Sequence, residues 1–181
     1  MYCDRRHFLK IGAQAAAVSL FPTSAMASIN RLLTPKRRLS FYNTHTDERL
    51  EVCYFTQGRY PSNALKKINY IFRDHYSGKV NPIHKDLLDL LHAVSMTIGD
   101  GAQLHIVSGY RSPETNAMLR KKTKAVAKNS LHMQGKAVDI RIPEYDTKRL
   151  SNICMKMQAG GVGYYPESDF VHVDTGPVRC W

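Results

Sequence analysis

The chain has 181 residues, with 26 Lys and Arg against 15 Asp and Glu, a formal net charge of +11. At 43% hydrophobic and 23% charged it has an ordinary globular composition, and its length suits one domain. It contains no apolar run of the roughly 18 residues that a membrane-spanning helix needs, no low-complexity tract and no solenoid-period repeat, so stable membrane insertion, a fibrous chain and a repeat array are excluded.

Residues 4–10 read Asp-Arg-Arg-His-Phe-Leu-Lys, residues 11–21 are mildly apolar, and the segment closes on Ala25-Met26-Ala27. A charged start, a short apolar core and an A-x-A end describe a cleavable export signal. The paired Arg5 and Arg6 resemble the twin-arginine signal. The expected outcome is cleavage after Ala27 and delivery of a folded protein to the periplasm. Residues 28–38 are polar and basic and read as an arm, and 39–181 form the domain. A cationic exported protein is drawn to anionic surfaces, of which the cell wall is one and nucleic acid another. The basic runs 36–38 and 120–122 lack the interleaved aromatics of a nucleic-acid reader, so no nucleic-acid partner is expected.

Strand-forming residues at 38–43 and 49–55 flank Thr44-His45-Thr46-Asp47 and predict a hairpin. Pro61-Ser62-Asn63 precedes a helical stripe of Leu65, Ile68, Ile71 and Phe72 that is expected to end near Gly78. Leu87, Leu88, Leu91 and Val94 predict a second helix over 84–98. A short strand at 104–107 leads through Ser108-Gly109-Tyr110-Arg111-Ser112-Pro113 into a third helix over 114–122. A strand at 137–142, a fourth helix over 147–158, and strands at 160–165 and 170–174 complete the order. This order implies an α+β domain, with helices packed on a small, mainly antiparallel sheet. Cys53, Cys154 and Cys180 follow the signal, an odd number without C-x-x-C spacing. They read as structural, and an oxidising compartment allows one disulfide and one free thiol.

Of the eight histidines, His45, His75, His84 and His92 have no acidic or histidine partner at ligand spacing, and His105 reads as a packed strand residue. His132 and His172 differ. His132 sits in a loop, Gly135 allows a tight turn, and Asp139 lies on the following strand, so the chain can double back and present both side chains to one point. His172 and Asp174 are two apart on a strand and project from one face with Phe170, while Val171 and Val173 pack beneath. Two imidazoles and one carboxylate suit a catalytic zinc ion with a fourth position left for water. By spacing alone, His132 and His172 read more readily as two separate packed or surface residues.

Four motifs stand in order: Ser-Gly-Tyr-Arg-Ser at 108–112, Ser-x-His-x-x-Gly-x-Ala-x-Asp at 130–139, Gly-Gly-Val-Gly-Tyr-Tyr-Pro at 160–166, and Phe-Val-His-Val-Asp-Thr-Gly at 170–176. Together they resemble the peptidase M15 family of zinc peptidases, and within it the murein endopeptidases. The likeness runs from the twin-arginine start to the Gly-Pro-x-Arg-x-Trp end. It implies the fold shared by Hedgehog domains and D-Ala-D-Ala peptidases, one Zn2+ at His132, Asp139 and His172, and peptidoglycan as partner. It further implies hydrolysis of peptide cross-links, with a preference for bonds between two meso-diaminopimelate residues.

Peptide hydrolysis at zinc needs a general base and charge stabilisation at the carbonyl. Asp174 shares a face with His172 and is the first choice as base. Asp169 matches the acid-x-x-His arrangement of several M15 enzymes and takes the role if Asp174 only orients His172. Arg111 is expected to face the site, where a guanidinium clamps a carboxylate or polarises a carbonyl. Tyr110, Tyr164 and Tyr165 are expected to line a groove. Gly160, Gly161 and Gly163 either admit the substrate backbone or simply make a turn. A carboxypeptidase on stem peptides and a zinc-containing wall-binding module without turnover are the alternative functions.

Overall fold

The computed structural model describes residues 35–99, 101–123 and 126–181. The export segment, its cleavage point and most of the arm lie outside the described residues. The hairpin forms as β1 (Arg37–Asn43) and β2 (Arg49–Phe55), followed by α1 (Ser62–Ile71) and α2 (Lys85–Ile98). Next come β3 (Gln103–Ser108), α3 (Pro113–Lys122), β4 (Ala137–Arg141) and α4 (Thr147–Lys156). The chain closes with β5 (Gly161–Tyr165), β6 (Phe170–Asp174) and a two-residue β7 (Arg179–Cys180). The strands make one seven-stranded sheet in the order β2-β1-β3-β4-β6-β5-β7. β1 with β3 and β5 with β7 run parallel, and every other pair is antiparallel. The fold class is α+β, as the order of elements implies.

Strand alternation divides the sheet into two faces with different tasks. Leu39 and Phe41, Leu104 and Ile106, Val138 and Ile140, and Val171 and Val173 are buried in the core. The helices close over that face with Ile68 and Ile71 from α1, Leu87, Leu88, Leu91 and Val94 from α2, and Leu150 from α4. These are helical i, i+3, i+4 stripes, and their burial is the main stabilising term of the domain. The alternate positions Tyr42, His105, Arg141, Asp139, His172 and Tyr165 therefore fall on the other face of the sheet. The candidate strand ligands Asp139 and His172 thus sit on a face that the helices leave open.

Three local structures position the site. The first helix ends at Ile71 rather than near Gly78, because Asp74 reorganises the segment beyond it. Its carboxylate is 1% exposed and accepts from Tyr76 N, Ser77 Oγ and Ser112 N. A short side chain that offers the backbone such partners competes with helix continuation. Here it also ties residues 74–77 to the start of α3. That helix is capped by Ser112, whose side chain accepts from Thr115 N, and it carries Arg120, Lys121 and Lys122 in its last turn. The second basic run is thus accounted for by a helix C-terminus, where cations complement the dipole.

The third local structure is Gly135, which ends a 3-10 turn over Leu131–Gln134 with φ +66°. A Cβ there would lie 2.1 Å from Pro82 O. Gly135→Ala combines a left-handed backbone with a clash against main chain. It is expected to cost about 2–3 kcal/mol in chemical denaturation.

All three described cysteines are free thiols, so the disulfide that the count allows does not form among the described residues. Cys154 is packed in the core, and burial pushes its thiol up to about 12. That makes it an inert packing residue.

Candidate metal centre

Three separate elements deliver the three candidate ligands. His132 comes from the 3-10 turn, whose start is held by Ser130 Oγ accepting from His132 N. Asp139 comes from β4 and stands directly opposite His172 of β6 in the strand register. A bulge in β3, between Ile106 and Ser108, adjusts the β3–β4 pairing beside Asp139; bulges commonly re-aim side chains next to sites.

The ligand atoms converge. His172 Nδ1 lies 2.8 Å from Asp139 Oδ1. His132 Nε2 lies 3.2 Å from His172 Nδ1 and 3.3 Å from Asp139 Oδ1. One ligand atom from each residue falls within 4.8 Å of the others, the spacing of a set that can grip one ion. The remaining ring nitrogens are both occupied from behind. His132 Nδ1 donates to Gly109 O at 2.8 Å, and His172 Nε2 donates to Asp174 Oδ2 at 3.0 Å. Those bonds fix each ring so that its other nitrogen faces the cluster, as outer-shell partners of metal-binding histidines do. His132 and Asp139 are only 3% and 6% exposed. A buried donor set with this chemistry fits a zinc-like divalent cation.

The electrostatics agree. Burial opposes ionisation of Asp139, but the imidazoles of His132 and His172 outweigh it and hold the carboxyl well below the usual carboxylate range. Burial also opposes charge on His172, yet its bonds to Asp139 and Asp174 prevail and raise the ring to about 9. The His172 ring therefore holds its proton more tightly than a free imidazole.

Asp174 is placed differently from the expectation for a base. It is fully buried, and its oxygens accept from five groups: the His172 ring, Gly161 N, Gly176 N and two guanidinium nitrogens of Arg179. Those bonds overcome the burial penalty and hold it ionised. Asp169 is no nearer to the role. It adopts a left-handed backbone with φ 49°, accepts a short hydrogen bond from Thr147 Oγ1, and stands 3.9 Å from Arg141 Nη1. That places it in a neighbouring cleft.

Arg111, the three ligands and Tyr165 share one cleft of about 390 Å³. Arg111 is steered by Ser108 Oγ at 3.3 Å and Asn116 Oδ1 at 3.5 Å, with Asp139 Oδ2 at 3.8 Å. Tyr165 and Tyr164 part company, because adjacent strand residues face opposite ways. Tyr165 pairs with Phe170 and stacks on it at 4.6 Å, whereas Tyr164 lines the neighbouring cleft. Tyr110 packs against the core and lies outside both.

Two residues at the site, Arg179 and Trp181, belong to the Gly-Pro-x-Arg-x-Trp end but have no site role in the sequence reading. The short β7 carries them to the cluster. Trp181 sits 5.3 Å from the His172 ring and donates from Nε1 to the Tyr165 hydroxyl at 2.8 Å. The Arg179 guanidinium lies 5.0 Å from the Trp181 ring. Their i, i+2 spacing was the available signal. The glycines of β5 make room for these groups rather than for a ligand. A Cβ on Gly163 would lie 2.7 Å from the Trp181 ring, and one on Gly161 would meet Asp174 and Arg179 at 2.5 Å.

A sequence model of the peptidase M15 family described as peptidoglycan L,D-endopeptidase MepK matches residues 32–181. The chain belongs to the MepK family. It is 38% identical over 179 residues to the peptidoglycan L,D-endopeptidase MepK of Escherichia coli K12, covering 98% of this chain and 97% of that one. The same identity and coverage hold for MepK of Shigella flexneri. The probable MepK of Haemophilus influenzae is 38% identical over 180 residues, 98% of this chain and 95% of its own. The MepK-family match thus spans all three candidate ligands, Arg111 and the terminal Arg179 and Trp181.

Proposed function

We propose that the chain is a zinc-dependent peptidoglycan endopeptidase that cuts peptide cross-links in the periplasm. One observation carries the reading: two imidazoles and a carboxylate converge on one point, with both outer ring nitrogens already bonded. His132, Asp139 and His172 would hold a divalent cation, which would supply Lewis acidity and bring the pKa of water there towards about 7. The protein's own groups do the rest. Gly109 O and Asp174 orient the two imidazoles. Arg111, fixed by Ser108 and Asn116, points its guanidinium into the cleft, where it polarises the scissile carbonyl. Asp174 acts through His172 as a positioning residue, since its oxygens are all engaged.

Tyr165, Phe170 and Trp181 form an aromatic wall along the cleft, suited to the apolar edge of a peptide. The relatives are named peptidoglycan L,D-endopeptidases; the family resemblance adds the preference for bonds between two meso-diaminopimelate residues. The Hedgehog and D-Ala-D-Ala peptidase type of fold, export by the twin-arginine route and cleavage after Ala27 belong to the same reading. Sequencing the N-terminus of exported protein tests the last of these; a start at Met1 refutes it.

The decisive assay incubates purified protein with cross-linked muropeptide dimers, with and without a chelator. Monomer products that require metal are expected. Release of a terminal residue alone would instead establish a carboxypeptidase, and binding without products a wall-binding module.

Metal uptake carries its own pH signature. The His172 ring, held at about 9, must lose a proton from Nδ1 before that nitrogen can bind zinc. Below pH 9 the site is protonated and zinc competes with that proton, so affinity rises with pH and levels off above about 9. Calorimetry at pH 7 in buffers of different ionisation enthalpy is expected to show close to one proton released from His172 per zinc. Zinc binding without proton release would contradict the arrangement.

A further inference from the structure

A second cleft, of about 520 Å³, lies beside the first and shares none of the metal ligands. It is lined by His105, Arg141, Tyr145, Thr147, Tyr164 and Asp169. Arg141 is the next same-face residue after Asp139 on β4, about 7 Å along the strand. It stands opposite His105 of β3, whose ring packs at a tilt against Tyr42 with centroids 4.6 Å apart. The two clefts are therefore neighbours, within one long side chain of each other.

The charge in this cleft is mixed. Arg141 brings a guanidinium, while Asp169, Glu144 and Asp146 bring carboxylates, the last already accepting from Arg149 N at the start of α4. The Arg141 and Asp169 side chains are 42% and 64% exposed, and their nearest atoms are 3.9 Å apart. That is beyond hydrogen-bond distance, so the guanidinium fork retains donors for an incoming carboxylate. Arg is the side chain best shaped for two-pronged carboxylate recognition, and a carboxylate beside it leaves the Asp169 side free to accept from an ammonium.

We propose that this cleft is a subsite for a zwitterionic amino-acid group, a free carboxylate and ammonium on one carbon, presented by the substrate next to the scissile bond. A diamino dicarboxylic acid joined to the chain through only one of its ends carries such a group. The proposal rests on the peptidase reading and adds to it a reason for selecting that residue over a plain diamino acid. Arg141 holds the carboxylate, and Asp169, with Glu144 nearby, holds the ammonium.

The test uses the full-length, zinc-loaded protein and three cross-linked dimers: one with the diamino dicarboxylate group intact, one with its free carboxylate amidated, and one with its free amine acetylated. The wild type is expected to show at least a tenfold higher kcat/KM for the intact dimer than for either modified one, chiefly through KM. Arg141→Gln brings the intact and amidated dimers within about twofold of each other, and Asp169→Asn does the same for the intact and acetylated pair. Arg141→Lys, which keeps charge without the fork, falls between. Equal handling of all three dimers by the wild type overturns the proposal, as does an Arg141→Gln protein that keeps the preference. Binding of the same dimers is measured by calorimetry in parallel. If nothing is cut, the peptidase reading fails, while the ratio of affinities still decides the subsite.

Discussion

Asp139→Asn is expected to yield a folded protein that loses zinc on dialysis and cuts cross-links at least about a thousandfold more slowly. The change is nearly isosteric, so the β4–β6 pairing that places residue 139 opposite His172 has no steric reason to shift. What it removes is charge. Asp139 is the only anionic member of the cluster, and it is held ionised against burial by both imidazoles. An amide is a poor ligand for zinc, and its NH2 group would point a donor at rings that need an acceptor. Losing a partner behind a ligand typically costs 10–100-fold in metal affinity. Losing a ligand costs more, and without metal nothing brings the pKa of water down from 15.7 towards neutrality. The folded state should lose about 1–3 kcal/mol, since buried donors are left with a weaker partner. Metal analysis after dialysis, circular dichroism and the dimer assay together check the result. A variant that retains one zinc and normal turnover would remove Asp139 from the site.

Legibility from the sequence tracks the range of the interactions involved. Period-2 alternation and helical stripes are local, so β6 and the faces of α1 and α2 were visible, with Val171 and Val173 beneath His172. Asp139 and His172 were visible as candidates by residue type and their shared ion was implied by the family resemblance, but the physical basis of their convergence is the β4–β6 register. The segment at β7 was not visible. It is two exposed residues long and exists because it pairs with β5, some 18 positions earlier. With it went Arg179 and Trp181. The separation of Tyr164 from Tyr165 obeys the alternation rule, which the shared aromatic character of the pair masks. The displacement of Asp169 was hidden in a backbone conformation: its positive φ turns the side chain towards Thr147.

The apolar packing of the core contrasts with the open face, where nearly every side chain near the cluster has a directional partner. Gly109 O, Ser108, Asn116, Asp174 and Arg179 each hold a group at the cleft. A site built on strands and braced from behind loses little entropy when it engages an extended polymer, because its geometry is already set.

Asp174→Asn separates the two roles open to that residue. If Asp174 positions His172, the variant should bind zinc about 10–100-fold more weakly and recover most of its activity when zinc is supplied in excess. If it were the general base, zinc would stay bound and turnover would be lost even at saturating metal. The geometry favours the first outcome. Asp174 is fully buried, and a carboxylate already accepting from His172, Gly161, Gly176 and Arg179 has no free oxygen with which to take a proton in the cleft. An asparagine amide offers one acceptor oxygen where two are used, and places a donor against this ring of donors, so a stability loss of about 1–3 kcal/mol is also expected. The proton count supplies a readout that a base would not move. In the wild type, Asp139 and Asp174 jointly hold His172 at about 9, so at pH 8 most molecules release its proton on binding zinc. Without the Asp174 charge the ring pKa falls, fewer molecules carry that proton, and the number released per zinc at pH 8 must fall with it. An Asp174→Asn protein with unchanged zinc affinity and proton release, but no turnover, would return Asp174 to the role of base.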